Sequence, residues 1–248
     1  MLSIILPSIE VRDSMAVSLK GVSVILPTYN ERENVEHLVH AILKIPAFHG
    51  FPLEVIIVDD NSPDGTGEIA DRLAKEISSV KVIHRPAKMG LGSAIKDGSN
   101  FASYDQLVVM DADFSHPPSE LPMLVSKLDQ ADIVVGSRYV KNGRMNAPYY
   151  RVLASKFINY FVRWLVGLKV RDCTGGFHAM RKRVLDELDV RGRGGEYDIE
   201  LLIKAQRKGY SIVEVPFVYG YRTHGASKTK VQYGITYLLT ALKLRFSS

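Results

Sequence analysis

Two aspartates one residue apart, Asp111 and Asp113, follow the apolar run Val108-Val109-Met110 and precede Phe114-Ser115-His116-Pro117-Pro118. The apolar run reads as a buried strand and the proline pair as a turn. Carboxylates are costly to bury beside apolar side chains. The pair therefore belongs at an open edge, and the carboxyl ends of strands in α/β sheets are where ligands bind. Side chains repeat every second residue in an extended segment, so both acids would face the same way. Two hard oxygen donors on one side suit Mg²⁺ or Mn²⁺, ions that keep waters and share substrate phosphates. The chemistry implied is a divalent cation gripping a diphosphate. The same acids could instead cap the next helix or close a turn.

The elements that must hold this pair follow from patterning. Apolar runs over 22–26, 53–58, 80–84, 106–110 and 133–136 read as five strands, the first ended by Pro27. Between them, helical patterns cover 35–43, 66–77, 93–102 and 121–128, with Asn30 and Glu33 arranged as a helix cap and Asn61-Ser62-Pro63-Asp64-Gly65 as a turn. Strand–helix alternation with short loops predicts an α/β fold with a mostly parallel, doubly wound sheet flanked by helices. After residue 142 the rhythm changes. Residues 150–168 read as an aromatic-rich helix, 172–177 as a glycine-rich loop, 184–188 and 199–208 as helices, 211–219 as a strand and 232–246 as an amphipathic helix.

Bulk numbers narrow the partners. Of 248 residues, 46% are hydrophobic and 24% charged, enough for a packed core. The net charge of +5 fits nucleotides, phosphorylated substrates or an anionic membrane surface. No basic block or motif points to nucleic acid. The single cysteine, Cys173, excludes an internal disulfide and reads as a small buried residue. No uncharged apolar run reaches the about 20 residues of a membrane span. The first residues are apolar but short, lack a basic start and carry Pro7, unlike a signal peptide.

The order strand, Pro27-Thr28-Tyr29-Asn30-Glu31, strand, Asp59-Asp60-Asn61-Ser62, strand, Asp111-Ala112-Asp113 resembles the GT-A-fold glycosyltransferases of family 2. Gly136-Ser137-Arg138-Tyr139, Arg151 with Ser155, Thr174-Gly175-Gly176-Phe177, and Arg222 with Gly225, Ser227 and Lys228 are similar to the dolichyl-phosphate mannose synthases within it. The resemblance runs from about residue 21 to 242. It implies an N-terminal extension over 1–20, a GT-A catalytic domain over 21–230 and a C-terminal amphipathic helix over 231–248.

What the resemblance implies about residues is specific. Pro27, Tyr29, Glu31, Val58 and Asp60 match positions around the nucleotide base and ribose. Asp111 and Asp113 match the metal pair, with Ala112 lining the nucleotide site. Ser115 stands where many relatives carry Gln, as a weaker third ligand. His116 reads as a supporting residue, since imidazole suits a hard ion poorly. Arg138, Arg151 and Ser155 match positions that hold the acceptor phosphate, and Arg151 and Ser155 share a helix face. Arg222 and Lys228 lie in a loop that could close over the diphosphate and neutralise the leaving group. Asp113, Arg138, Arg222 and Lys228 are the implied catalytic set.

The implied reaction is inverting transfer of mannose from GDP-mannose to a dolichyl or polyprenyl phosphate, dependent on Mg²⁺ or Mn²⁺. A lipid monophosphate is already largely ionised near neutral pH, its second pKa being about 6. No indispensable base is expected, and Glu200 is the candidate if one exists. UDP-glucose is the alternative donor, a family 2 polysaccharide synthase the alternative enzyme and a nucleotide-binding module the non-enzyme alternative. Against the synthase, the segment 160–164 keeps only Arg163-Trp164 of a Gln-x-x-Arg-Trp block. The mix of Phe157, Tyr160, Phe161, Trp164 and Leu165 with Lys156, Arg163 and Lys169 suits an interfacial helix or an ordinary core helix. The implied location is peripheral on the cytoplasmic face of a membrane, of the endoplasmic reticulum or the plasma membrane, alone or with a membrane-protein partner.

Overall fold

The structure is a computed structural model that describes residues 21–221 and 232–246. The expected extension over 1–20 and both Arg222 and Lys228 lie outside the described residues. The apolar runs form strands β1 (Val22–Thr28), β2 (Leu53–Asp59), β3 (Val80–His84), β4 (Gln106–Val109) and β5 (Ile133–Ser137). The helices are α1 (Val35–Leu43), α2 (Thr66–Glu76), α3 (Leu91–Phe101), α4 (Leu121–Ser126), α5 (Tyr149–Val166), α6 (Lys182–Glu187), α7 (Glu196–Lys208) and α8 (Gln232–Phe246). Four further strands, β6 (Arg144–Met145), β7 (His178–Arg181), β8 (Ile212–Pro216) and β9 (Val218–Tyr219), and three short 3₁₀ turns at Pro46–Phe48, Pro118–Glu120 and Lys127–Asp129 complete the described elements.

The main sheet has the order β3-β2-β1-β4-β7-β5-β8. All its strands are parallel except β7, which pairs antiparallel with both β4 and β5. The small parallel pair β6-β9 stands apart. Residues alternate between two cores. Val22, Val24, Leu26, Val55 and Ile57 face α1, α2 and α4; Ile25, Ile56, Val58, Leu107 and Val109 face the layer of α3, α5, α6, α7 and α8.

The order of strands reverses between β1 and β4. Their pairing stops at Ile25 and Val109, and the chains then part, while β1 continues beside β2 through Pro27 and Thr28. Ile25 O accepts from Met110 N and Thr28 O from Asp60 N, so Pro27 faces the parted side, where its missing N–H costs no ladder bond. Pro27 therefore continues the strand instead of ending it. The crevice at the reversal is the ligand position of open α/β sheets.

The expected Asn30–Glu33 cap is absent. Asn30 takes a left-handed backbone (φ 56°), and α1 starts later, at Val35 after Asn34. Strand β7 lies between the glycine-rich loop and the helix read from the sequence, in residues that reading left unassigned. Cys173 is buried, as expected, and burial pushes its thiol up in pKa.

Helix α5 is more exposed than a core helix. Tyr150, Leu153, Phe157, Tyr160 and Trp164 recur every three or four residues, and Trp164 is 70% exposed. On α8, Ile235, Leu239, Leu242 and Phe246 repeat the pattern, while Ala241 and Leu244 are buried. The helix is thus apolar on two sides rather than amphipathic. The helices touch where Ile158 of α5 lies over Gly234 of α8. No helix among the described residues is long and apolar enough to cross a membrane.

Candidate active site

The loops after β1 and β2 are tied together. Asn30 N–H donates to Ser62 Oγ (3.0 Å), and Glu31 N–H donates to Thr66 Oγ1 (2.9 Å). Asp59, buried, accepts from Ser62 N–H (3.0 Å) and from the hydroxyls of Ser62 (2.5 Å) and Thr28 (3.2 Å). It shapes the turn. Asp60 pairs with the buried Arg85 guanidinium and accepts from Gly90 N–H (3.2 Å). Arg85 also donates to Gly90 O (3.2 Å) and to Ser93. Both Asp60 oxygens thus hold the start of α3. The half-buried Tyr29 has the Lys88 ammonium 3.9 Å above its ring. Val58 is fully buried, side chain and backbone alike, and its carbonyl accepts from the Thr28 hydroxyl (3.3 Å).

Past β4 the chain turns sharply. Phe114 holds φ 65°, a left-handed conformation that costs a bulky residue about 1–3 kcal/mol. The turn leaves Asp111 exposed, Asp113 half-buried and Ala112 buried. Asp113 Oδ1 accepts from both Ser115 N–H (3.0 Å) and Ser115 Oγ (2.5 Å). The Ser115 hydroxyl, a metal ligand by the resemblance, donates to this carboxylate and orients it. His116 Nδ1 accepts from Asp111 N–H (3.0 Å), which puts the ring proton on Nε2, 2.8 Å from Gly175 O. The ring stacks on Phe177, and burial lowers its pKa to about 4. His116 is a neutral brace between the two carboxylate-bearing and glycine-rich loops, as the sequence suggests.

Hard oxygen donors at an open edge fit Mg²⁺ or Mn²⁺. The described residues hold no cluster of three acidic, His or Cys ligands, so a cation held by Asp111 and Asp113 would keep positions for substrate and water.

Arg138 follows β5. Its Nε donates to Asp172 Oδ2 and its Nη2 to Asp172 Oδ1, both at 2.7 Å, and its backbone N–H donates to the same carboxylate (2.9 Å). Asp172 is fully buried. Burial opposes the guanidinium charge, but Asp172 overrides it and holds the pKa above its ordinary value. The rings of Tyr139 and Tyr219 lie 5.2 and 5.5 Å from the guanidinium. Thr174 Oγ1 accepts from Arg138 (3.0 Å) and Asn159 (2.9 Å), and Tyr139 OH donates to Ser155 (2.6 Å), which knits Arg138 to α5. Arg151 lies one turn before Ser155, exposed.

The glycine-rich loop 172–177 descends between these two groups. A side chain at Gly176 would lie within 4 Å of Asp111, His116 and Asp198. Asp198, on α7, is the acid the sequence reading missed. Burial first, then Asp172, raises its pKa to about 7, against a hydrogen bond from Gly176. Its nearest basic neighbour is the buried His178, 3.6 Å away, whose pKa burial lowers to about 3. Glu200 faces elsewhere: it accepts from Lys204 (2.5 Å) and from Arg191 N–H (3.1 Å). Asp172 and Asp198 carried no sequence signal, because acids in a glycine-rich loop and in a polar helical turn read as surface.

The structure thus brings Asp111, Asp113 and Ser115 to one edge with Pro27, Tyr29 and Glu31 across the crevice, and sets Arg138 and Ser155 beyond the glycine-rich loop. Gly220 N–H donates to Ser115 O (2.9 Å), which holds the end of β9 beside the Asp113 loop.

Residues 23–189 match the family model described as glycosyl transferase family 2. Polyprenol monophosphomannose synthase of Mycolicibacterium smegmatis is 42% identical over 215 residues, 83% of this chain and 79% of that protein. Dolichol-phosphate mannosyltransferase of Pyrococcus furiosus is 44% identical over 214 residues, 84% of this chain; the match spans 59% of the archaeal protein's length. In fold, the chain is similar to glucosyl-3-phosphoglycerate synthase from Mycobacterium tuberculosis, crystallised with Mn²⁺, UDP and phosphoglyceric acid. That likeness has a TM-score of 0.70 at 22% identity and covers 92% of this chain and 80% of the other. The sheet and its flanking helices are those of a GT-A fold.

Proposed function

Since the chain belongs to glycosyltransferase family 2, we propose that it transfers mannose from GDP-mannose to a polyprenyl phosphate, giving the β-linked polyprenyl phosphomannose and GDP. What supports the reading most is the likeness, at 42% and 44% identity over most of the chain, to two proteins named for mannose transfer to a polyprenol or dolichol phosphate. The named site residues, the donor and the metal are proposals on the geometry above.

Asp111 and Asp113 would hold a divalent cation, which when bound neutralises charge on the donor diphosphate. Ser115 fixes the Asp113 carboxylate. Pro27, Tyr29, Glu31 and Asp60 bound the nucleotide side of the crevice, with Arg222 and Lys228 assigned to the leaving diphosphate. The Arg138–Asp172 pair is electrically balanced, so Arg138 supplies rigid directional donors. Net charge for the acceptor phosphate falls to Arg151, which has no carboxylate partner among the described residues. A phosphate oxygen attacks the anomeric carbon from the face opposite the leaving group. The new C–O bond forms as the old one breaks, and the electron pair departs with GDP. An already ionised nucleophile needs no base, consistent with Glu200 being engaged by Lys204.

The acceptor lives in a bilayer, and α5 and α8 each carry an exposed apolar stripe, the one on α5 lying on the side of the helix opposite Ser155. We assign these stripes to peripheral membrane contact. The test is incubation with labelled GDP-mannose, Mn²⁺ and dolichyl phosphate, with UDP-glucose in parallel. Label in the lipid from GDP-mannose alone supports the reading. Label from UDP-glucose alone makes it a glucosyltransferase. Nucleotide binding with no lipid product makes it a binding module.

A further inference from the structure

A pocket of about 330 Å³ opens beside α5 on the flank away from α8. Four cations line it: Arg138, Lys156, Arg163 and Arg171, together with Asn159 and Tyr160. Arg138 is matched by Asp172, but Lys156, Arg163 and Arg171 have no ion pair among the described residues. Arg163 Nε is buried and has no hydrogen-bond partner among them. The nearby Glu214 is engaged by the backbone N–H groups of Arg171 (2.9 Å) and Asp172 (3.0 Å). Three like charges turned into one concavity repel unless an anion joins them, and a buried, unpartnered guanidinium nitrogen is costly.

The position identifies the anion's source. Helical spacing sets Lys156 and Arg163 on the edge of the exposed stripe Leu153-Phe157-Tyr160-Trp164, and Tyr160 belongs to both. A cationic pocket at the rim of an apolar surface lies at headgroup depth when that surface meets a bilayer. Of the residues assigned to the acceptor, Arg138 lies in its wall, already matched by Asp172, while Arg151 and Ser155 do not line it.

We propose that this pocket is a second phosphate site, adjoining the acceptor site through Arg138 and built on Lys156, Arg163 and Arg171, which holds the phosphate headgroup of an anionic membrane phospholipid and so orients α5 on the membrane. The proposal goes beyond transfer itself: it concerns where the enzyme sits, not what it moves.

The test uses the full chain and the triple variant Lys156→Gln, Arg163→Gln, Arg171→Gln, none of them assigned to donor or acceptor. Binding is measured to phosphatidylcholine vesicles with and without phosphatidylglycerol. At roughly fivefold per cation, the variant should lose about 100-fold in affinity for the anionic vesicles and little for the neutral ones. A control variant, Lys44→Gln, Lys75→Gln, Lys127→Gln, removes the same charge from helices on the other side of the sheet. Equal loss in the control would mean diffuse attraction and would overturn the site, as would unchanged binding by the pocket variant. Inorganic phosphate distinguishes the sources. If phosphate alone raises the melting temperature of wild type but not of the pocket variant, and vesicle affinity is equal in both, the site takes free phosphate and the headgroup assignment is overturned. Transfer to micellar dolichyl phosphate should persist in the pocket variant, so failure here is separable from failure of the transferase reading.

Discussion

The Arg138 guanidinium meets the Asp172 carboxylate side-on, Nε to Oδ2 and Nη2 to Oδ1, each at 2.7 Å, in the interior of the protein. Removing one member of such a pair leaves an uncompensated buried charge, which costs about 3–5 kcal/mol. Asp172→Asn is therefore expected to lower the unfolding free energy by about that amount in urea titration. In the surviving folded enzyme, KM for the lipid phosphate should rise more than KM for the donor, because Arg138 loses its fixed orientation.

Asp113→Ala should abolish transfer while circular dichroism stays native. Ser115→Ala is the finer probe. If the hydroxyl orients Asp113, as its 2.5 Å contact indicates, the metal concentration for half-maximal activity should rise about 10–100-fold. At saturating Mn²⁺ the rate should largely return.

The acid behaviour of the metal-free protein has two opposing parts. His116 and His178 have folded pKa values of about 4 and 3 against 6.5 unfolded, so below pH 6.5 the unfolded chain binds more protons. Their contribution is present above 6.5 and lost as pH falls toward 4, on the order of a few kcal/mol each. Asp198 runs the other way: its pKa is raised to about 7 from 3.8, so its contribution is present at low pH and lost as pH rises through 7. Asp198→Asn should therefore be more stable than wild type at pH 8, and should show a larger loss between pH 6.5 and 4. Guanidinium titrations across that range read both effects.

Trp164→Glu on α5 and Leu239→Glu on α8 should each reduce binding to neutral vesicles about tenfold or more, since each withdraws one large apolar side chain from the interface. Their melting temperatures should stay near wild type, because both side chains face solvent.

Gly92 lies at the start of α3, its N–H donating to Gly192 O (3.0 Å), and a Cβ there would press on that carbonyl and on the Tyr197 ring. Gly92→Ala should destabilise by about 1–3 kcal/mol in thermal or urea unfolding.

Much of this molecule is legible before folding. Apolar runs such as those ending at Met110 have no other reading than buried strands, and turn chemistry at 61–65 fixes where β2 stops. The Asp111–Asp113 pair is legible as two acids at a strand end, a placement that by itself suits a cap or a turn as well as a ligand. Strand β7 is not. Its four residues, His178-Ala179-Met180-Arg181, are too short and too polar at both ends for any period, and its place in the sheet depends on partners more than forty residues away in sequence. Asn30 looked like a cap because its type suits one, yet the ties to Ser62 and Thr66 decide its backbone. Ser115 has a ligand's chemistry, and only the turn at Phe114 shows which way its hydroxyl points.

The reversed strand has a consequence for biosynthesis. Until His178 to Arg181 emerge from the ribosome, the outer border of β4 has nothing to pair with, and β5 cannot join the growing sheet beside it. The first half of the polypeptide must wait in an incomplete state with an adhesive margin. A nascent chain arrested before that point should accordingly be a strong client for chaperones and sensitive to protease, and one arrested well beyond it should be neither.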